Sequence, residues 1–117
     1  MSYWYLASVY SKHPLGTDEA HAEACYATTL LMRAGIPVFS PIAHTHPIEK
    51  IGGLVGMSHD FWMAVDKPMV DAARGVIVLM QPGWSTSKGV CMEIAWAKKD
   101  HKPVIYMTPG QLPFIRR

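Results

Sequence analysis

The chain has 117 residues, half of them apolar, with 11 Lys and Arg against 9 Asp and Glu and a formal net charge of +2. That length suits one domain, and the apolar half argues for a packed core and against a disordered chain. Near-neutral charge without a basic stripe argues against holding a nucleic acid polymer by its backbone.

Met1 to Leu6 lacks a basic region followed by a long apolar run, so it does not read as a signal peptide. Tyr3 to Ala7 is aromatic and apolar and predicts a first strand. Ser8, Tyr10, Ser11, Lys12, His13, Pro14 and Gly16 then make a polar loop. Thr17 offers an N-cap, with Asp18 and Glu19 in the first turn. Ala22, Cys25, Tyr26, Thr29, Leu30 and Arg33 recur at helical spacing, which predicts a helix to about Ala34, stopped by Gly35. Pro37 to Ser40 predicts a short second strand. Residues 41–57 carry Pro41, Pro47, Gly52, Gly53 and Gly56, and read as a long loop of the kind that is often functional. Ser58 starts a second helical stretch with Phe61, Trp62 and Val65 as its apolar face. Pro68 kinks or restarts it, and Asp66 would cap the restarted piece. Val76 to Met80 predicts a buried third strand, residues 88–100 a helix, and Pro103 to Met107 a fourth strand. Lys98, Lys99 and Lys102 cluster at the end of that helix, where cations complement the dipole. The tail from Thr108 to Arg117, with Pro109, Gly110 and Pro113, has room for a short edge segment.

Strands alternating with helices imply a single α/β domain, 1–117, with a Rossmann-like open parallel sheet of four to five strands and helices on both faces. Such sheets bind ligands beyond the carboxyl ends of their strands. Three polar loops converge there: after Ala7, after Ser40 and after Met80. Cys25 and Cys91 lie among apolar residues of predicted helices and form no CxxC pair, which favours a reduced, cytoplasmic setting. No apolar run approaches the roughly 20 residues of a membrane span.

Within Gly83 to Ala97, Glu93 stands apart. A strand, a small polar loop with glycine and a helix start form an anion site, because loop N–H groups and the positive helix end point the same way. With Ser87 as N-cap, Glu93 falls six residues into the helix, past the first turn where a carboxylate complements the dipole. A carboxylate there, with apolar neighbours Met92, Ile94 and Trp96, has a chemical role to offer beside a phosphate site. Burial would raise its pKa and loop N–H donors would lower it.

Tyr5-Leu6-Ala7-Ser8, Asp66 ahead of an apolar strand, Ser87-Lys88-Gly89-Val90-Cys91-Met92-Glu93 and Lys102-Pro103-Val104 occur in the order and spacing of a known family. The chain resembles the nucleoside 2-deoxyribosyltransferase superfamily over nearly its whole length, most closely a group of short bacterial and phage proteins within it. The resemblance implies Glu93 as the nucleophile toward C1′ of a deoxyribose. It implies Asp66 as the carboxyl that protonates the departing base and holds the sugar, and Tyr5 as the residue that orients the nucleophile. Ser87 stands where the transferases carry an aspartate and where the similar 2′-deoxynucleoside 5′-monophosphate N-glycosidases carry a phosphate-binding serine. It tilts the expectation toward hydrolysis of a deoxynucleoside monophosphate.

The alternatives are deoxyribosyl transfer between bases and a non-catalytic nucleotide-binding or sensing module on the same fold. A small host-interaction protein with a vestigial site is a further reading. The converging loops supply Ser8, Ser11, His44, Trp84, Ser85, Ser87 and Gly89 as candidate substrate contacts. No cofactor is required. His44 and His46 suggest a metal, but zinc needs at least three protein ligands and no convincing third is present. Trp62 and Trp84 are candidates to stack on a base. The expected partners are a small nucleotide or nucleoside and a second copy of the chain, with no nucleic acid polymer and no membrane.

Overall fold

A computed structural model describes residues 2–115. Its elements follow one another as β1 (Trp4–Ala7), α1 (Thr17–Arg33), β2 (Val38–Phe39), α2 (Pro41–Gly52), α3 (His59–Ala72), β3 (Gly75–Leu79), α4 (Lys88–Lys99) and β4 (Val104–Met107), with a single 3-10 turn at Trp84–Thr86 before α4. The sheet has four strands in the order β2-β1-β3-β4, all parallel. Register places Tyr5 opposite Phe39 on one side and Val76 on the other.

Side-chain alternation along the strands divides the core. Tyr5, Ala7, Val76 and Val78 face α3 and α4, meeting Val70, Val90 and Ala97. Trp4, Leu6, Ile77 and Leu79 face the other way, onto Ala27 and Leu31 of α1. Helices therefore cover both faces, as expected of a Rossmann-like open sheet. No helix among the described residues is long and apolar enough to cross a membrane.

The expected long loop at 41–57 is mostly helix α2. Ser40 caps it, accepting from the Ala43 N–H at 3.1 Å. Pro41 fills the first turn, where its missing N–H costs nothing. Gly53 closes it with φ of 74°, a left-handed conformation that suits glycine. Only Pro47 is internal. The punctuation read as loop is that of a short helix with a proline at its start and glycine at its end.

Asp66 caps nothing. α3 runs unbroken through Pro68, and its cap is Ser58, which accepts from Phe61 N–H at 3.1 Å. Thr17 likewise is the first helical residue, preceded by Gly16 at φ 93° with no side-chain cap. β2 is shorter than expected and β3 begins one residue earlier, at Gly75. Residues 108–115 form no strand, so the described sheet has four strands; Arg116 and Arg117 lie outside the described residues.

Lys102, just ahead of β4, holds the end of α3 against the sheet. The Lys102 ammonium donates to the carbonyls of Val70 and Ala73 at 2.8 Å each, and also to that of Asp71. The cation so satisfies the bare carbonyls at the end of α3 and complements its dipole, a different helix from the one its sequence neighbours suggest. Gly75 sits where an added Cβ would lie 2.5 Å from the Trp4 ring and 2.6 Å from the Pro103 carbonyl, so no other residue fits without a shift.

Candidate active site

β1 and β3 are the innermost strands, and β2 and β4 lie on opposite sides of them. Strand order reverses at this pair, which leaves a crevice beyond their carboxyl ends. A cavity of about 270 Å³ opens there.

Its floor is built from three core positions. Val90, Glu93 and Ala97 form the buried stripe of α4, so helical spacing puts the Glu93 carboxyl where a core side chain belongs. Glu93 is 4 % exposed, Asp66 on the buried stripe of α3 is 7 %, and Tyr5 of β1 is 0 %. The Tyr5 hydroxyl donates to Glu93 Oε2 and also faces Asp66. Asp66 and Glu93 both line the cavity.

Electrostatics follow from burial. Desolvation, assisted by the neighbouring Asp66 charge and opposed by the Tyr5 hydrogen bond, pushes Glu93 up to about 8. Desolvation raises Asp66 to about 6, again with Tyr5 pulling the other way. Burial and then the two carboxylates drive Tyr5 well above its ordinary value, so its hydroxyl stays a donor. Two carboxyl groups in one low-dielectric pocket resist ionising together, and they titrate as a unit.

The wall beside this floor is rich in hydroxyl groups and backbone N–H. Ser8, just past β1, is 7 % exposed, and its Oγ has no hydrogen-bond partner among the described residues. Ser87 caps α4, its hydroxyl accepting from Val90 N–H at 3.3 Å; its own proton remains free to donate. Gly89, in the first turn of α4, lines the same wall. An added Cβ there would meet Met63 at 3.6 Å and His59 at 4.0 Å, both ordinary contacts. The protein's own packing thus does not demand glycine at this position. His59 Nε2, at the start of α3, is also buried without a partner.

A family model described as a domain of unknown function (DUF1937) matches residues 2–109. The chain belongs to that family. No curated protein matches it.

In this DUF1937 chain, six of the ten residues singled out from sequence line the cavity: Glu93, Asp66, Ser8, Ser11, Ser87 and Gly89. Tyr5 lies beneath it, bonded to Glu93. The other three lie off its wall. His44 is exposed and rests on Phe39 at 5.6 Å between ring centroids. Trp84 packs on the core and on Tyr106, at 5.5 Å. Ser85 is exposed, its carbonyl accepting from the Cys91 thiol at 3.4 Å. Trp62 does line the cavity.

His44 and His46 sit two apart on a helix, where such neighbours face different ways. His46 is committed to Asp18, at 3.0 Å, and to the Tyr10 hydroxyl, at 2.7 Å. Among the described residues no group of three or more His, Cys, Asp or Glu is arranged to hold a metal ion.

Sequence reasoning did not single out His59 or Glu49 and read Tyr10 only as part of a polar loop, yet all three line the cavity. His59 follows the Ser58 cap, a position that marked a helix start and nothing more. Glu49 was hidden inside residues read as loop.

Proposed function

We propose that this protein hydrolyses the N-glycosidic bond of a deoxynucleoside 5′-monophosphate. One observation carries the reading: two buried carboxyl groups meet one tyrosine hydroxyl on the floor of a cavity whose wall holds an unpartnered serine hydroxyl and a helix N-terminus. The resemblance of the Tyr5, Asp66 and Ser87–Glu93 segments to the deoxyribosyltransferase superfamily supports it.

Cleaving this bond passes through an oxocarbenium-like sugar. The Glu93 carboxylate attacks C1′ as the bond to the base breaks. Asp66 gives its proton to the departing base nitrogen. Water then attacks C1′ and releases Glu93, losing its proton to Asp66, so the products are free base and deoxyribose 5-phosphate. Tyr5 holds Oε2 of Glu93 and leaves the other oxygen for the sugar. The phosphate takes the Ser8 and Ser87 hydroxyls and the open N–H groups at the start of α4.

The reactive form has Glu93 ionised and Asp66 protonated, so the pair carries one proton. Singly protonated species dominate between pH about 6 and about 8, and the reaction is expected to follow a bell with its limbs near those values, whichever oxygen carries the proton at rest. The test is incubation with a panel of deoxynucleotides and ribonucleotides, following free base as a function of pH. Release without added acceptor base, absent in a folded Glu93→Ala variant, is the expected result. Release that requires a second base would mean transfer; equal turnover in Glu93→Ala would overturn the assignment.

A further inference from the structure

The cavity has a second end that the proposed chemistry leaves unassigned. Tyr10 and Glu49 both line it, and the Tyr10 hydroxyl donates to Glu49 Oε2 at 2.8 Å. Burial and the Glu49 carboxylate raise the Tyr10 pKa, which keeps that hydroxyl a donor. The same hydroxyl lies 2.7 Å from His46 Nδ1. His46 Nε2 lies 3.0 Å from Asp18, which also takes the Lys50 ammonium at 2.8 Å. A chain of four side chains from α1, the loop after β1 and α2 thus holds one carboxylate in a fixed pose. Glu49 Oε1 bonds to no group among the described residues.

We propose that Glu49 recognises the base of the substrate and selects bases that carry an exocyclic amino group. The inference rests on the nucleotide reading above. Glu49 belongs to α2, which packs on α1 and β1, whereas α3 packs on α4, whose start carries Ser87 and Gly89. A phosphate avoids a carboxylate, so the ligand's negative end goes to α4 and its base toward α2. Ile42, Met57 and Trp62 line the cavity and offer apolar surface to a ring.

An ionised carboxyl only accepts hydrogen bonds. It gains from the amino group of cytosine or adenine, and it faces repelling lone pairs from the carbonyl of uracil or hypoxanthine at the same ring position. A hydrogen bond to a charged group corresponds to about ten- to a hundredfold in affinity.

The experiment compares two pairs in which an exocyclic amino group is exchanged for a carbonyl and the adjacent ring nitrogen gains a proton: deoxycytidine against deoxyuridine monophosphate, and deoxyadenosine against deoxyinosine monophosphate. Base release is measured on the wild type, and calorimetric binding on the wild type and on Glu93→Ala, so recognition is read apart from turnover. The amino-bearing member of each pair is expected to win by about tenfold or more. Glu49→Gln, which offers donor and acceptor alike, should bring the ratio to about unity. Tyr10→Phe keeps the carboxylate but frees its anchor and should reduce the ratio in part.

Binding with amino selectivity but no base release would sustain this inference and sink the hydrolase. Base release with equal efficiency across both pairs, or a ratio unchanged in folded Glu49→Gln, would sink this inference and leave the hydrolase standing. No binding of any of the four nucleotides would overturn both.

Discussion

Glu93 is an acid in the wrong solvent, and its cost to the fold has a defined sign. In the unfolded chain its carboxyl titrates near 4.5, and in the fold at about 8. Between those values the folded state keeps a proton that the unfolded state has released, so stability falls as pH rises through the window. Asp66 adds the same trend between 3.8 and about 6. Glu93→Gln keeps the shape and can still accept from Tyr5, but it has no charge to bury. The variant is expected to melt higher than wild type, by a margin that widens from pH 5 to about pH 8 and then levels. Thermal melts of both proteins across that range check it. A margin constant with pH would mean that the burial of Glu93 is not the source of the difference.

At the scale of elements, α4 combines two demands. Its inner stripe serves the core, while its first turn faces the cavity. Gly89 exposes the conflict: alanine would favour the helix by up to about 1 kcal/mol, and the protein around it has room for the methyl group. Gly89→Ala is expected to hold or raise the melting temperature while weakening a 5′-phosphorylated substrate more than its unphosphorylated nucleoside. Ser87→Ala removes both the cap and a phosphate donor. It should lower stability by about 1 kcal/mol and reduce the preference for the phosphorylated substrate by about tenfold or more. Catalytic efficiencies on the nucleoside and its monophosphate, with melts of each variant, separate the two effects. Equal efficiency on both substrates in wild type would remove phosphate recognition at this helix.

The strands, α1 and α4 were legible because apolar runs and helical spacing report burial directly. Ser87 as a cap, and Glu93 one turn beyond the reach of the dipole, followed from the same spacing. α2 was not legible, because Pro41, Gly52 and Gly53 bracket so short a helix that its ends outweigh its interior. That error concealed Glu49. Asp66 was ambiguous for a related reason: a proline two residues later suggests a helix start, and only tertiary packing shows α3 continuing through it. His59 gave no local signal, since an unpartnered polar atom is a property of the surroundings.

The whole molecule leaves apolar groups outside its core. Leu15 is 75 % exposed, Tyr26 73 %, Met32 60 % and Phe114 87 %. A chain of this size buries a smaller fraction of its surface than a large domain does, and exposed groups of this kind mark association surfaces where they are contiguous. We propose that the protein works as a homodimer that buries exposed apolar groups of α1, Tyr26 and Met32. Light scattering at assay concentration should give twice the chain mass, and Tyr26→Lys with Met32→Lys should return the monomer. A fully active wild-type monomer would rule this out.

The sheet order that brings Tyr5 between two acids also says what kind of molecule would jam the site. A floor with two buried acids, which resist ionising side by side, is best matched by a small ring of opposite sign. A five-membered ring with a protonated nitrogen in place of the sugar's anomeric carbon has that sign and resembles the charge that develops during cleavage. Such an inhibitor should bind more tightly as pH rises from about 6 to about 8 while its nitrogen stays charged, because the floor gains negative charge over that range. Inhibition constants measured across it would show the trend, and affinity that falls with pH would contradict the charge assigned to the floor.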